Sequence, residues 1–476
     1  MTLKIYNTLA GQIEEFRPRN EGRVDMFVCG PTVYDYSHIG HARTYVFFDV
    51  VAKYLKTIGY DIKYVQNITN IDDKIIARAQ KQDISPQILA EKYEKEYLAD
   101  MESLGIDSVW KYARATDHIP DIIKQIETLI SNGCAYAAPA VPARGQEAIV
   151  DGNRDVYFSV EKFADYGKLS GQKLDELQEG VRIELESNKN NPRDFVLWKA
   201  QNYRYEPAWH SPWGNGRPGW HIEDTAITEH YLGQQYDLHG GGQELIFPHH
   251  EAEIAQQESA SGKKPFVKYW MHAGWLMVNG EKMSKSLGNY ITIRDALNSY
   301  SPQALRLMFL SKYYRSPLNY TSDSIKQFSA GAVRISEFSK KIQRINTDEG
   351  IYEADSDIKE TWQKILNAMN NDFNTPEAIA AIFDYIRLVN GRMNQIPKAE
   401  TKKIKKFLEE LDGIFGIVPT GEHAVPDNVS KLVDLREEAR ENRDWALSDS
   451  LRSQIFELGY AVEDTPNGPY VTKRPD

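Results

Sequence analysis

The first half of the chain alternates between short apolar segments and amphipathic segments. An apolar run at residues 22–30 predicts a buried strand, and apolar residues at helical spacing over 46–55 predict a helix. A second strand is predicted at 61–67, which completes a β-α-β unit and therefore a parallel sheet. Helical patterns follow over residues 88–135. This order is typical of an α/β domain with a parallel sheet.

The pattern changes further along the chain. Short strand-like segments at 136–200 indicate an inserted β-rich module, and the α/β pattern then returns with a strand at 236–239. From 293 to 415 aliphatic residues recur every three or four positions, which predicts a helical bundle. Residues 419–426 are a predicted linker. A helix or helix pair at 432–458 and a small strand end the chain.

Composition narrows the class of protein. The 476 residues are 41% hydrophobic and 26% charged, as in globular proteins of about two to four domains. No apolar run is long enough to span a membrane, and the two cysteines, Cys29 and Cys134, fit a reducing cytoplasm. A net charge of -11 argues against nucleic-acid binding through the whole surface, although local basic patches remain compatible with it.

A loop with two lysines follows a predicted β-hairpin whose turn is Asn279-Gly280. This lysine loop, residues 282–286, reads KMSKS, and Gly288 leaves it free to move. Two ammonium groups and two hydroxyls on such a loop suit a clamp on a polyphosphate. The alternative, from these residues alone, is an exposed basic turn.

A loop with two histidines, His38-Ile39-Gly40-His41, leads from the first predicted strand towards the first helix. Backbone N–H groups and the helix dipole favour a phosphate at such a position. Gly40 would let a nucleotide approach the backbone closely, and the two histidines could donate hydrogen bonds to phosphate oxygens. Two histidines near a helix start are, on their own, more often structural.

Further candidate residues lie where later strands end. Thr69 follows the second strand, and Gly240 and Gly241 follow the strand at 236–239, where they permit close approach of a ribose or phosphate. His249 and Glu253 are four positions apart on one helical face. This spacing suits two ligands of one metal ion, or equally a surface His-Glu pair.

Together these segments resemble the class I aminoacyl-tRNA synthetases, and within that class the cysteinyl-tRNA synthetase family. The HIGH signature is matched at 38–41 and the KMSKS signature at 282–286, letter for letter. The further matching segments are CGPTVYDYSHIGHART (29–44), NITNIDDKI (67–75), GWHIE (219–223), HGGGQELIFPHHEAEIAQ (239–256), RSPLNY (315–320), DFNTPEA (372–378) and ELGYAVEDTP (457–466). The resemblance covers nearly the whole chain in the family's order.

The resemblance implies an α/β fold. Its parts are a Rossmann-like parallel-sheet catalytic domain with an inserted β-rich module, a helical bundle that binds tRNA, and a small C-terminal α+β tRNA-binding domain. The implied boundaries are 1–135 and 201–290 for the two halves of the catalytic domain, 136–200 for the insert, 291–420 for the bundle and 425–476 for the anticodon-binding domain.

The resemblance also implies a reaction. ATP activates L-cysteine to cysteinyl-adenylate with release of pyrophosphate, and the cysteinyl group then passes to the 3′ end of tRNA(Cys). Because no covalent enzyme intermediate is needed, catalysis is placement plus charge stabilisation on Mg-ATP, and both signatures are expected to face one cavity. The implied catalytic residues are His38, His41, Lys282 and Lys285. Those implied for ATP are Gly40, His38, His41, Gly240, Gly241 and Lys285, and those for cysteine are Thr69 and Trp220.

In the family a zinc ion binds the substrate thiolate, and zinc prefers soft sulfur to a hydroxyl, which separates cysteine from serine. The family's ligands are two cysteines, a histidine and a glutamate. They map to Cys29, Asp224, His249 and Glu253. Asp224 departs from the family's cysteine and leaves three hypotheses: an aspartate ligand on a harder ion, a three-ligand site with Asp224 beside it, or a metal-free pocket.

The C-terminal part maps to the family's tRNA-binding region. Candidates for stacking on unpaired bases are Trp445, Arg440 and Arg443. The implied partners are tRNA(Cys), L-cysteine and ATP, and the chain is expected to be a cytoplasmic monomer that binds no membrane.

Two alternatives remain. A ligase with the same core could couple cysteinyl-adenylate to an amino-sugar, but it would not need the basic helix and closing strand after residue 425. A silent paralogue could bind only RNA or a partner, but it would not need both phosphate-binding signatures.

Overall fold

The computed structural model of the chain describes residues 2–140, 152–172, 188–284, 287–418, 427–465 and 468–473. Lys285, the predicted linker at 419–426 and the start of the β-rich insert at 141–151 lie outside the described residues. The chain forms two compact units. The first comprises Met1–Ile293, Met308–Thr321 and Asp355–Val389, and the second comprises Arg294–Leu307, Ser322–Ala354 and Asn390–Asp476.

The strands of the described residues are, in chain order, β1 (Lys4–Asn7), β2 (Gln12–Glu15), β3 (Arg23–Val28), β4 (Asp61–Ile68), β5 (Lys111–Arg114), β6 (Ala135–Pro139), β7 (Arg154–Phe158), β8 (Phe195–Ala200), β9 (Trp209–Ser211), β10 (Gly214–Pro218), β11 (Tyr236–Gly242), β12 (Val267–Ala273), β13 (Leu276–Val278), β14 (Glu281–Lys282), β15 (Leu318–Tyr320), β16 (Tyr460–Thr465) and β17 (Gly468–Lys473).

The α-helices of the same residues are α1 (Ile39–Thr57), α2 (Asp73–Lys81), α3 (Pro86–Ser103), α4 (Ile119–Ser131), α5 (Ile222–Leu232), α6 (Glu251–Ser261), α7 (Ile293–Ser299), α8 (Pro302–Leu310), α9 (Ser322–Arg344), α10 (Ala354–Asn370), α11 (Thr375–Asn390), α12 (Lys398–Phe415), α13 (Asp427–Glu441) and α14 (Trp445–Glu457). Among them, none combines the length and the apolar character that crossing a bilayer requires.

The first unit is built on a five-stranded sheet in the order β12-β11-β3-β4-β5, all of whose pairings are parallel. Nearly every residue of β3 and β11 is buried, as expected where both faces of a parallel sheet are covered. The strand order reverses between β3 and β11. The loops that follow these two strands therefore meet at the carboxyl edge of the sheet, at the topological switch point where such folds bind ligands.

The predicted β-α-β unit is confirmed, with one difference at the start of its helix. Apolar spacing predicted a helix over 46–55, whereas α1 begins at Ile39 because the His38 side chain caps it. The residues of the first turn, Gly40 to Arg43, carry no apolar periodicity, so the pattern could not reveal this turn.

The predicted β-rich segment forms an antiparallel sheet in the order β6-β7-β8-β10-β9. It includes β9 and β10, which lie beyond residue 200 in the chain. This sheet contributes Phe158, Leu197 and Trp198 to a large apolar core that also contains Trp270 of the parallel sheet. The insert therefore packs against the parallel sheet within the first unit.

The second unit is mainly helical. Helix α9 packs against α12, and the buried Arg306 of α8 donates from Nε to the Phe415 carbonyl at the end of α12 at 2.7 Å. Helices α13 and α14 pack against each other, and strands β16 and β17 pair in an antiparallel hairpin next to α14. The closing strand predicted from the sequence is one arm of this hairpin.

Candidate active site

The segment after the lysine loop runs antiparallel beside the histidine loop. Ile39 N donates to Ile291 O at 3.1 Å, and Ile293 N donates to Ser37 O at 2.9 Å. An isolated bridge between His38 and Thr292 has the same orientation. Backbone pairing therefore joins the histidine loop to the segment that follows the lysine loop, although the two are far apart in the sequence.

One cavity of about 370 Å³ lies where these segments meet the end of β3. Residues of both signatures line it, together with one predicted metal ligand and the predicted pocket wall: His38, His41, Met283, Ser284, Cys29 and Trp220. Residues of the histidine loop and of the lysine loop therefore line one cavity, whereas the expectation that the two lysines themselves face it stays a prediction.

His38 holds the start of α1 with its ring. Its Nδ1 accepts hydrogen bonds from Gly40 N at 3.1 Å and His41 N at 3.3 Å. An accepting nitrogen carries no proton, so the neutral ring carries its proton on Nε2 and can donate it to a phosphate oxygen. A Cβ on Gly40 would lie 2.8 Å from His38 Nδ1, so the cap requires glycine at this position.

His41 stacks on His38 with ring centroids 3.8 Å apart. Burial lowers the pKa of His41 well below its usual value, and the charges of His38 and Lys74 lower it further. Within the described residues, His41 Nδ1 is buried without a hydrogen-bond partner. A buried nitrogen without a partner costs free energy, and a ligand that enters the cavity can remove this cost.

The lysines are placed differently from one another. Lys285 lies outside the described residues, and the Lys282 ammonium lies over the Trp275 ring, 5.3 Å from its centroid. Among the described residues, the cavity wall includes Lys74 but not Lys282. Sequence reasoning did not select Lys74, because a single lysine in the first turn of a helix carries no distinguishing signal.

The four predicted metal ligands form one buried cluster, here called the inner cluster: Cys29, Asp224, His249 and Glu253. Asp224 Oδ2 lies 3.2 Å from Cys29 Sγ and 2.9 Å from His249 Nε2. His249 Nε2 lies 3.2 Å from Glu253 Oε1. Donor atoms that surround one ion with bonds of about 2.0–2.3 Å are spaced in this way.

The electrostatics of the inner cluster favour a cation. Burial raises the pKa of Cys29 and of Glu253 well above their usual values, and the Asp224 carboxylate raises both further. Asp224 Oδ1 and Glu253 Oε2 are buried without hydrogen-bond partners in the described part of the chain. Several acidic groups therefore converge in a buried site, where a divalent ion would stabilise their negative charge. The types of donor atom and their spacing fit such an ion.

Two aromatic neighbours orient His249. Its Nδ1 lies 2.8 Å from His221 Nδ1, which directs Nε2 towards Asp224 and Glu253. The Trp220 ring stacks on His249 with centroids 4.2 Å apart and also lines the cavity. Trp220 therefore packs on one member of the inner cluster and also forms part of the cavity wall.

More histidines surround Cys29 than the sequence predicted. Its Sγ lies 3.1 Å from His250 Nε2 and 3.4 Å from His239 Nε2. These two rings and Glu253 form a second set of donors around the same sulfur. Sequence reasoning missed them because a histidine within an apolar strand, or beside another histidine, is usually a core residue.

Thr69 lies deeper than expected, within a hydrogen-bonded group. Its hydroxyl donates to the Glu223 carboxylate, which also accepts from Asn67 Nδ2 at 3.3 Å. Burial raises the pKa of Glu223 well above its usual value, and the Asp224 charge raises it further. Glu223 was not selected from the sequence, although its position next to Asp224 places it beside the inner cluster.

Gly240 and Gly241 have close neighbours at the sheet edge. A Cβ on Gly240 would lie 2.4 Å from the Phe48 ring, and one on Gly241 would lie 2.8 Å from His250 Cε1. Gly242, rather than these two, lines the cavity in the described structure. Packing therefore requires glycine at both positions, and the expectation that they approach ATP stays a prediction.

Arg43 connects α1 to the segment that precedes the lysine loop and to a second segment at residues 314–316. It is buried, and burial lowers its pKa to about 10. Nη1 donates to Gly274 O at 2.7 Å and to Trp275 O at 2.6 Å, while Nη2 donates to Tyr314 O at 3.2 Å and also to Ser316 O.

Replacing Arg43 by lysine is expected to lower the free energy of unfolding by about 2–4 kcal/mol, because one ammonium cannot serve four buried carbonyls. Urea unfolding measures this change. Arg17→Lys is the control, because the Arg17 side chain is 73% exposed. An equal effect of the two substitutions would contradict the anchoring role of Arg43.

At the end of the chain, the second unit presents an aromatic side chain next to a cation. Trp445 is 57% exposed, and the Arg440 guanidinium lies over its ring, 5.8 Å from the centroid. Arg443 is exposed in the turn between α13 and α14. A flat ring beside guanidinium groups suits an unpaired base.

Three family profiles match the chain. "tRNA synthetases class I (C) catalytic domain" matches residues 15–330, "DALR domain" matches 364–419, and "Cysteinyl-tRNA ligase anticodon binding domain" matches 422–471.

Among similar sequences, a cysteine–tRNA ligase of Thermococcus onnurineus is 44% identical over 484 residues, covering 98% of this chain and 98% of the relative. A cysteine–tRNA ligase of Clostridioides difficile is 43% identical, covering 98% of this chain and 99% of the relative. Methionyl-tRNA synthetase of Mycobacterium tuberculosis, solved with methionyl-adenylate, superposes with a TM-score of 0.61 at 16% identity. That alignment covers 90% of this chain and 96% of the solved one, and it supports the fold alone.

Proposed function

The chain belongs to the cysteine–tRNA ligase family of class I aminoacyl-tRNA synthetases, and on that premise we propose how its residues carry out the reaction. It activates L-cysteine with ATP and transfers the cysteinyl group to tRNA(Cys). The observation that carries the proposal is the shared cavity, which is lined by both phosphate-binding signatures and by Cys29 of the inner cluster.

The ATP phosphates bind between the two signatures. His38 donates from Nε2, because its Nδ1 is engaged in the helix cap. His41 offers the ring nitrogen that has no partner in the described structure. Lys74 adds a fixed positive charge at the wall, while Lys282 and Lys285 of the lysine loop neutralise charge that develops on the α-phosphate as pyrophosphate leaves. Catalysis is therefore placement and charge stabilisation, with Mg-ATP as the substrate.

The inner cluster selects the thiol. We assign Cys29, Asp224, His249 and Glu253 as ligands of a zinc ion. Bound there, zinc would supply a Lewis acid that prefers the thiolate of the substrate to a serine hydroxyl. Glu253 and Asp224 contribute the charge that such an ion requires, and His221 keeps His249 Nε2 directed at it.

The rest of the amino acid binds beside the inner cluster. Trp220 forms a wall of the cavity next to His249 of the cluster. The buried Glu223, held by Thr69 and Asn67, offers a carboxylate for the cysteine ammonium group. Thr69 therefore acts through Glu223 as a positioning residue.

Different domains serve the two steps of the reaction, adenylate formation and transfer to tRNA. Residues 1–135 and 201–290 with the insert at 136–200 form the adenylate, whereas the bundle at 291–420 and the domain at 425–476 bind tRNA. The matches at 364–419 and 422–471 support this division. A cytoplasmic location and a monomeric state complete the proposal, the first supported by the two free cysteines.

Two assays test the function. Cysteine-dependent pyrophosphate exchange reports activation, and cysteinylation of tRNA(Cys) reports transfer. The account predicts both. Exchange without transfer to tRNA would indicate the amino-sugar ligase, and the absence of exchange would indicate a silent paralogue.

Replacing Trp445 by alanine is expected to lower kcat/KM for tRNA cysteinylation by roughly tenfold, because stacking of one base contributes about 1–3 kcal/mol. Pyrophosphate exchange should not change. Trp110→Ala is the matched control, since Trp110 is 55% exposed and lies in the first unit. Equal losses in both variants would contradict an RNA-binding role for Trp445.

A further inference from the structure

A second cluster of metal-binding side chains lies outside the cavity, here called the outer triad: His118, Asp121 and His230. His118 ends a 3-10 turn that precedes α4, Asp121 lies in the first turn of α4, and His230 lies in the last turn of α5. The reaction described above uses none of them.

The donor atoms of the outer triad converge on one point. Asp121 Oδ2 lies 3.0 Å from His118 Nδ1 and 3.1 Å from His230 Nδ1. Ligand atoms of one ion with bonds of about 2.0–2.1 Å are about 3.0–3.4 Å apart, so these positions need little movement to hold an ion. The imidazole rings, with centroids 4.8 Å apart at 70°, present their nitrogens from two directions.

One side chain of the outer triad is buried and the other two are partly exposed to solvent. The His118 side chain is 5% exposed, whereas those of Asp121 and His230 are 39% and 46% exposed. The Tyr231 ring packs against both histidines, with centroids 5.3 Å from His118 and 4.6 Å from His230. Three protein donors with remaining positions open to water are typical of metal sites that exchange ligands.

Hydrogen bonds connect the two helices, α4 and α5, next to the outer triad. Gln125 of α4 accepts from Thr225 Oγ1 of α5 at 2.7 Å and donates to Glu229 of α5 at 3.0 Å. This network holds α4 against α5, the two helices that carry Asp121 and His230.

We propose that the outer triad binds a divalent transition-metal ion of the zinc, cobalt or nickel type, separately from the inner cluster. Two imidazoles and one carboxylate are the donors that these ions prefer, and they would bind Mg²⁺ or Ca²⁺ poorly. The ion joins α4 to α5, the helix whose first turn carries Asp224. The competing interpretation is that Asp121 only accepts two imidazole N–H groups.

Cobalt binding to the full-length protein tests the proposal, because the two sites differ in sulfur. Co²⁺ in the inner cluster contacts the Cys29 thiolate and gives a sulfur-to-cobalt charge-transfer band, whereas Co²⁺ in the outer triad gives only weak ligand-field bands. Equilibrium dialysis counts the bound ions while the spectrum assigns them. The wild-type chain is expected to bind one ion that lacks the charge-transfer band.

His230→Gln and Asp121→Asn are expected to weaken binding of that ion by about tenfold or more and to leave the charge-transfer band unchanged, which also shows that the protein is folded. His210→Gln, an exposed histidine on β9, is the matched control and should bind like the wild type. The proposal is overturned if the wild type binds no such ion at millimolar Co²⁺, or if His230→Gln binds it as tightly as His210→Gln. If the protein binds the ion of the outer triad but shows no charge-transfer band, the result would instead contradict metal binding by Cys29 in the inner cluster.

Discussion

Replacing Gly40 by alanine is expected to reduce cysteine-dependent pyrophosphate exchange by about a hundredfold or more. The new Cβ would lie 2.8 Å from Nδ1 and 2.9 Å from Cε1 of His38, so the ring must move. Movement breaks the two hydrogen bonds that cap α1 and shifts the Nε2 donor away from the phosphates. A displacement of about 1 Å at a reacting group can cost two orders of magnitude in rate.

The Gly40→Ala experiment has a control within the same chain. Gly413 lies in α12, and a Cβ added there meets nothing within 4 Å. Gly413→Ala is therefore expected to keep full exchange activity and to stabilise the helix by about 0.5–1 kcal/mol. If Gly40→Ala retains exchange close to that of Gly413→Ala, His38 does not place a phosphate donor in the way proposed.

Replacing Asp224 by cysteine is expected to raise zinc affinity by at least about tenfold. Asp224 is fully buried between Cys29 and His249, so a thiolate at this position would face the same ion. A thiolate ligand contributes more to the free energy of zinc binding than a carboxylate oxygen does. A second thiolate would therefore give the site a donor set that zinc prefers. Competition with a coloured chelator measures the change.

Asp224→Asn and Asp224→Cys together separate the three hypotheses for this position. Asp224→Asn keeps the shape of the side chain but removes its charge, so zinc affinity falls whether Asp224 is a ligand or lies beside the ion. Asp224→Cys should raise zinc affinity only if the residue at this position is a ligand, and should not raise it if the ion has three protein ligands. If none of the three chains binds zinc while cysteine is still selected over serine, the pocket selects its substrate without metal.

The fold could be predicted where the burial of an element leaves a clear pattern of apolar residues in the sequence. The apolar runs at 22–30 and 61–67 became β3 and β4, since both faces of a parallel sheet are buried and leave continuous apolar segments. The start of α1 could not be predicted in this way. A histidine is an unusual cap, and its role depends on a ring orientation that apolar periodicity does not show.

The candidate site was predictable only through the resemblance. Cys29, Asp224 and His249 come from three separate segments, and their convergence follows from the order of β3 and β11 in the sheet. Other residues of the site were missed because only their environment distinguishes them. His250 and Lys74 are ordinary residues by sequence, and only tertiary packing places one beside Cys29 and the other in the cavity wall.

Zinc-edge X-ray absorption of the zinc-loaded protein, with and without substrate, tests the central claim most directly. The inner cluster contains one thiolate, so the account predicts one sulfur ligand in the free enzyme and two after cysteine is added. Serine should leave the count at one. A zinc ion whose sulfur count does not rise with cysteine would contradict selection of the substrate by its thiol at this site.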